Sequence, residues 1–82
     1  MGKHAKLIIK ILSGQSDYNI EFKDIVFFLL AKGFNQRTQG SHLVFTKKTV
    51  DERINLQPDG SKAKGYQVKQ IRKILIKYGE NL

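Results

Sequence analysis

The sequence has no cysteine, few acidic residues and no long hydrophobic run, and each shortage excludes a class of protein. With 0 cysteines in 82 residues, the chain can form neither a disulfide framework nor a thiolate metal site. Its longest apolar run, residues 25–31, is far shorter than the ~20 residues that span a bilayer. The segment 1–14 lacks the apolar stretch and cleavage site of a secretory signal. We therefore expect a cytoplasmic protein that does not associate with membranes.

The scarcity of acidic residues leaves a strongly basic chain. Lys and Arg total 15 against 7 Asp and Glu, which gives a formal net charge of +8. Residues 60–78 contain no acid, and their basic residues are Lys62, Lys64, Lys69, Arg72, Lys73 and Lys77. A basic stripe on a small domain favours a polyanionic partner, most often nucleic acid. The alternative is a surface that only keeps the protein in solution.

The length of 82 residues predicts a single domain over residues 1–82. A period of about 3.6 residues predicts helices over 3–13, about 23–32 and about 66–78. Alternation predicts strands over 34–39, 41–47 and 52–57. The order α-α-β-β-β-α indicates an α+β fold, in which a three-stranded antiparallel sheet is covered by helices on one face. The second helix is apolar around most of its circumference, so we expect it to be buried between the first helix and the sheet.

Strand alternation divides the sheet into an inward apolar face and an outward polar face. The inward residues are Phe34, Leu43, Phe45, Ile54 and Leu56, and the outward residues are Arg37, His42, Val44, Arg53 and Asn55. The outward face carries no aromatic residue, which disfavours base stacking on the sheet. Gln39-Gly40 predicts the first hairpin, and Pro58-Asp59-Gly60 predicts a turn that ends the third strand.

His42 is one of only 2 histidines, and it follows Gly40 and Ser41 at the predicted start of a strand. Imidazole exchanges a proton near neutral pH, and general acid–base catalysis is worth roughly 10²–10⁴-fold. RNA carries its own nucleophile, the 2′-hydroxyl, so one histidine with neighbouring cations suffices for cleavage without a metal. The alternative is a solvent-facing strand residue without a chemical role. For Ser41 we favour a turn role, with its hydroxyl or amide holding a phosphate.

The segment 60–73 combines two glycines with basic residues just before a helix. Free N–H groups and the helix dipole favour anions there. We predict that phosphates are bound by Lys62, Lys64, Lys69 and Arg72. Arg37 or Arg53 would stabilise charge on the face that carries His42, and Gly40 belongs to the same predicted RNA-binding set. The alternative is a mobile loop followed by a solvated helix face.

These motifs resemble those of the HicA toxins of type II toxin–antitoxin systems, which are small messenger-RNA interferases. The resemblance covers about residues 22–78 and rests on GF at 33–34, GSHLVF at 40–45 and NLQPDGSKAKGYQVKQIRKIL at 55–75. It implies a fold like the double-stranded-RNA-binding domain and metal-independent RNA cleavage, without a cofactor, with His42 as the catalytic residue. It also implies a HicB-type antitoxin partner that covers the active site in a toxin–antitoxin hetero-oligomer.

The sequence departs from the family pattern at two places. Leu43 follows the motif's histidine where the family often has an aromatic residue or a second histidine. The helix predicted at 3–13 is additional to the shortest members. Two functional hypotheses therefore stand: an endoribonuclease toxin that cleaves messenger RNA, and a non-catalytic module that binds double-stranded RNA. A third, compatible with the first, is that the domain acts mainly by binding an acidic antitoxin.

Overall fold

The computed structural model describes residues 3–82, apart from the side chains of Lys3 and Glu80. Its helices are α1 (Lys3–Ser13), α2 (Phe22–Ala31) and α3 (Gly65–Tyr78), followed by a 3₁₀ turn at Gly79–Asn81. Its strands are β1 (Asn35–Gln39), β2 (His42–Lys47), β3 (Val50–Leu56), β4 (Pro58–Asp59) and β5 (Lys62–Ala63). The predicted α+β class with a three-stranded antiparallel sheet is confirmed. None of the helices in the described part of the chain is long and apolar enough to cross a membrane.

The main sheet has the order β1-β2-β3 with antiparallel neighbours. A two-residue loop, Gly40-Ser41, joins β1 to β2, and Gln39 pairs with His42 across it. Gly40 has a φ of 60° and Ser41 does not have a positive φ, which is the arrangement of a type II′ hairpin turn. Because glycine adopts this φ without strain, the Gly-Ser sequence fixes where β2 begins, at His42.

The inner face of the sheet, defined by Phe45, Ile54 and Leu56, is fully buried. One hydrophobic cluster joins these residues to the buried faces of all three helices: Leu7 and Ile11 of α1, Ile25, Phe28 and Leu29 of α2, and Val68, Ile71, Ile74 and Leu75 of α3. The inward residues predicted from strand alternation are confirmed. The outer face, which carries His42, Val44 and Asn55, is left on the opposite side of the sheet from the helices.

The expectation that α2 is buried between α1 and the sheet is confirmed for one side of the helix only. Ile25, Phe28 and Leu29 are buried, but Phe27 is 56% exposed and Leu30 is 43% exposed. The helix contacts mainly α1 and the short strand β5, and the side that carries Phe27 and Leu30 is largely uncovered. The apolar composition of α2 indicates a helix that could be buried on most sides. How much of its surface is buried depends on which other helices and strands pack against it.

The segment after β3 forms a separate short hairpin, where the sequence predicted only a turn or a mobile loop. Pro58 pairs with Ala63 and Asp59 pairs with Lys62, around a Gly60-Ser61 loop. Gly60 has a φ of 63°, so the second Gly-Ser pair forms the same kind of loop as the first. This hairpin delivers the chain to Lys64, the N-cap of α3.

Candidate active site

His42 is the first residue of β2 and lies half-buried on the outer face of the sheet. Its Nδ1–H donates a hydrogen bond to Oδ1 of Asn55 on the neighbouring strand β3, over 3.0 Å. The amide oxygen of asparagine can only accept, so this contact places the ring proton of the neutral imidazole on Nδ1. Nε2, which makes no hydrogen bond to the described residues, is then left with its lone pair for proton exchange.

A second set of polar contacts joins the Gly40-Ser41 loop to the start of α3. Nε2 of Gln57 donates to Oγ of Ser41 over 3.2 Å, and Nζ of Lys64 donates to Oε1 of Gln57 over 3.0 Å. Lys64 is therefore two hydrogen bonds away from the residue next to His42. We call His42, Asn55, Ser41, Gln57 and Lys64 the histidine cluster. It combines a proton-exchanging group with a cation, which are the two elements that phosphate chemistry on RNA needs.

Gln57 is held in place from the opposite side by α3. Its backbone N–H donates to Oε1 of Gln67 over 3.2 Å, and Gln67 is buried to 1% exposure. A buried amide with defined partners has little freedom to rotate, because an unsatisfied polar group there would be costly. This hydrogen bond therefore fixes the end of β3 relative to the start of α3, next to the histidine cluster.

Two of the lysines and arginines predicted to bind phosphate are paired with carboxylates. Nζ of Lys62 lies 2.9 Å from Oε1 of Glu21, which links β5 to the start of α2. Arg72 binds Asp17 through two hydrogen bonds, and their side chains are 17% and 8% exposed. Neither cation belongs to the histidine cluster. The ion pair of Arg72 with Asp17 joins α3 to the loop after α1 and so contributes to the packing of the fold.

Lys69 is exposed on α3, one turn beyond the helix start. It lines a groove of about 440 Å³ together with Lys62, Lys64 and Tyr66. Lys64 is thus shared between this groove and the histidine cluster. Lys64 links the predicted basic segment, through Gln57, to Ser41 beside His42, while Lys69 extends the positive charge along α3.

Arg37 and Arg53 lie on the outer face, as strand alternation predicted. They line one cavity of about 420 Å³ together with Val44 and Thr46. Among the described residues, neither guanidinium makes a hydrogen bond or an ion pair. Val44 also points outward, yet it is only 5% exposed and lies outside the core cluster. The outer face is therefore a groove with an apolar floor between two arginines, where the sequence predicted an open polar surface.

A further set of polar contacts, which does not include His42, holds the start of β3 to the end of α3. The hydroxyl of Tyr78 donates to Oε1 of Glu52 over 2.6 Å and accepts from the backbone N–H of Asp51 over 3.0 Å. Nζ of Lys77 contacts the other carboxylate oxygen of Glu52 at 3.0 Å. The Tyr78 hydroxyl and then the Lys77 ammonium lower the pKa of Glu52 below its usual value, and Glu52 in turn raises the pKa of Lys77.

Among the described residues, no three histidine, aspartate or glutamate side chains gather as a metal site would require.

Sequence reasoning missed Asn55 and Gln57 as members of the site. Asn55 was placed on the outward face and Gln57 is the last residue of the predicted strand 52–57, but nothing in their spacing singled them out from other polar strand residues. The register that pairs Val44 with Asn55 is what places this amide beside His42.

Comparison of the chain with protein-family models, curated proteins and solved structures gave no match.

Proposed function

We propose that this protein is an endoribonuclease toxin of the HicA type, which cleaves messenger RNA without a metal ion by means of His42. The observation that carries the proposal is the hydrogen bond from Nδ1 of His42 to Asn55 on the exposed face of the sheet. It leaves Nε2 without a hydrogen-bond partner among the described residues, and the cation Lys64 is linked through Gln57 to Ser41, the residue before His42.

The chemistry follows from this arrangement. Nε2 of His42 removes the proton of a 2′-hydroxyl, and the 2′-oxygen attacks the adjacent phosphorus. The bond from phosphorus to the 5′-oxygen breaks, and water or the imidazolium returns a proton to that oxygen. The products are a 2′,3′-cyclic phosphate and a 5′-hydroxyl end. Lys64 stabilises the charge that develops on the phosphorane oxygens.

The order of elements supports the family proposal. From α2 onward the chain runs helix, three antiparallel strands, the short β4-β5 hairpin, helix, so the main elements follow the order α-β-β-β-α. This is the α-β-β-β-α order expected of a fold like the double-stranded-RNA-binding domain, with α1 as an addition. By the same resemblance we propose a cytoplasmic protein that is held inactive by a HicB-type antitoxin in a hetero-oligomer.

Induced expression in a bacterial host tests the proposed activity. Wild type is expected to stop growth and deplete messenger RNA, and His42→Ala is expected to do neither at equal protein level. His4→Ala is the matched control, because His4 packs edge-on against the Phe28 ring on the helical side of the molecule, with ring centroids 5.8 Å apart. Equal toxicity of wild type and His42→Ala would remove His42 from the mechanism.

A non-catalytic module for double-stranded RNA is the second candidate. It is favoured by Lys64 and Lys69 at the start of α3, where the positive end of a helix meets phosphates. The ion pair of Lys62 with Glu21 weakens it, since one cation of that set is already neutralised. This alternative predicts salt-sensitive binding of duplex RNA that stays intact on long incubation.

A further inference from the structure

The groove on the outer face of the sheet is suited to a ligand that is both anionic and partly apolar. Its two guanidiniums, Arg37 and Arg53, have no carboxylate partner among the described residues, and no carboxylate lines the groove. Val44 lies between them as the apolar floor. We call this the arginine groove. Two unpaired guanidiniums around an apolar surface match a phosphate attached to a flat base.

The walls of the arginine groove add groups that read base edges. The side-chain amides of Asn35 and Gln39 line it, and each amide offers both a donor and an acceptor. Bidentate contacts of Asn or Gln with base edges are a common means of sequence recognition. The volume of about 420 Å³ lies within the range of pockets that hold one small ligand.

The arginine groove adjoins the histidine cluster. Gln39 pairs with His42, and Arg37 pairs with Val44, which in turn pairs with Asn55. Two residues along a strand span about 7 Å. That distance corresponds to about two nucleotides of a stacked strand at roughly 3.4 Å each. An RNA strand cleaved at His42 would therefore bring a neighbouring nucleotide over Val44.

We propose that the arginine groove binds an unpaired nucleotide about two positions from the cleaved bond, with Arg37 and Arg53 on its phosphates and Val44 against its base. The inference rests on the proposed function and adds the substrate class, which is single-stranded RNA. A base that lays its face against Val44 has to leave the stack of a duplex, and unpaired bases are the ones that can be splayed out in this way. RNA in a continuous duplex therefore does not fit this groove.

Binding measurements with the full chain carrying His42→Ala test the groove apart from catalysis. A labelled single-stranded RNA and a duplex of the same sequence serve as probes over a series of salt concentrations. We expect Arg37→Gln and Arg53→Gln each to weaken single-strand binding about tenfold, as loss of a charged hydrogen bond does. Each is also expected to reduce the slope of log K against log salt by about 0.7.

Lys23→Gln is the matched control, because it removes one exposed charge from α2 on the other side of the sheet. It is expected to change single-strand affinity by less than about twofold, and the duplex to bind at least about tenfold more weakly than the single strand. Thermal midpoints verify folding, and Arg37→Lys, which keeps charge but loses the planar fork, is expected to fall between wild type and Arg37→Gln.

Two results would overturn the proposal that the arginine groove binds single-stranded RNA. One is that the arginine variants bind this RNA as tightly as Lys23→Gln does, and the other is that the duplex binds as tightly as the single strand. Failure here is distinguishable from failure of the proposed function. If the chain with His42 intact cleaves RNA but the arginine variants bind normally, the groove is wrong and the enzyme stands. If binding depends on the arginines but no cleavage occurs, the groove stands and the catalytic proposal is wrong.

Discussion

Arg72 of α3 holds Asp17, in the loop after α1, through two parallel hydrogen bonds of 2.9 and 2.7 Å. The geometry is the bidentate fork in which a guanidinium binds a carboxylate most strongly. Both side chains are largely buried, so the pair is shielded from solvent. A residue predicted from the sequence to bind RNA phosphate is engaged with a carboxylate in the structure, and its contact with Asp17 ties α1 to α3.

Removing either partner of this pair is expected to destabilise the fold. Asp17→Ala leaves a largely buried guanidinium without a counter-charge, which costs about 3 kcal/mol of unfolding free energy. Urea denaturation measures the loss, and the double variant Asp17→Ala with Arg72→Met is expected to lose less than the sum of the single variants. A loss below about 1 kcal/mol for Asp17→Ala would show that the pair contributes little.

Asn55 is expected to act as a positioning residue for His42. Asn55→Ala removes the acceptor for Nδ1, so the imidazole loses its fixed tautomer and orientation. We expect the cleavage rate at saturating RNA to fall at least about tenfold while KM changes little, since the amide holds the base and not the substrate. Single-turnover cleavage of a labelled RNA gives both parameters.

The conservative variant Asn55→Asp separates positioning from general packing. Its carboxylate also accepts from Nδ1, so a substantial part of the rate is expected to return. A neighbouring negative charge favours imidazolium, so cleavage should reach its maximum at higher pH than in wild type. If Asn55→Ala and Asn55→Asp lose the same activity with unchanged pH profiles, Asn55 has only a structural role.

Acid is expected to weaken the contact between β3 and α3 at Glu52. Hydrogen bonds from Tyr78 and Lys77 lower the pKa of Glu52 from 4.5, so the unfolded chain binds its proton more readily than the folded one. The stabilisation is present above 4.5 and is lost as pH falls through the lowered value in the folded state. Urea midpoints between about pH 5 and about pH 3 should fall more steeply for wild type than for Glu52→Gln. Parallel curves would contradict the assignment.

The two Gly-Ser loops provide a matched pair of variants. Gly40 and Gly60 have φ values of 60° and 63°, and an added Cβ would meet no atom within 4 Å at either position. Alanine at each site is therefore expected to cost about 1 kcal/mol of stability through backbone strain alone. Gly40→Ala places this strain two residues before His42, so it should reduce RNA cleavage more than Gly60→Ala does. If both variants reduced RNA cleavage equally, the Gly40-Ser41 loop would have no special role in positioning His42.

The parts of the fold that depend on local periodicity were predictable from the sequence. The bounds of α1 and the inward side of Phe45 and Ile54 agree with the structure, because the spacing of apolar residues directly encodes which face is buried. The position of His42 on the outer face of the sheet followed from the same alternation. What it does chemically remains a prediction.

Contacts between residues distant in sequence were not predictable. Nothing in the pattern around Arg72 indicates that Asp17, 55 positions earlier, occupies its guanidinium. The same is true of Lys62, whose partner Glu21 is 41 positions away. A run of basic residues predicts positive charge, and only the fold decides which charges are already neutralised. The β4-β5 hairpin was missed because strands of two residues carry no periodic signal.

The most direct test of the account is cleavage of an end-labelled single-stranded RNA by the purified protein in EDTA, with analysis of the product ends. Wild type and His4→Ala are expected to yield fragments that end in 2′,3′-cyclic phosphate, at equal rates. His42→Ala, folded to the same thermal midpoint, is expected to lose at least about 10²-fold in rate. RNA that stays intact with wild type, or cleavage that persists undiminished in His42→Ala, would contradict the account.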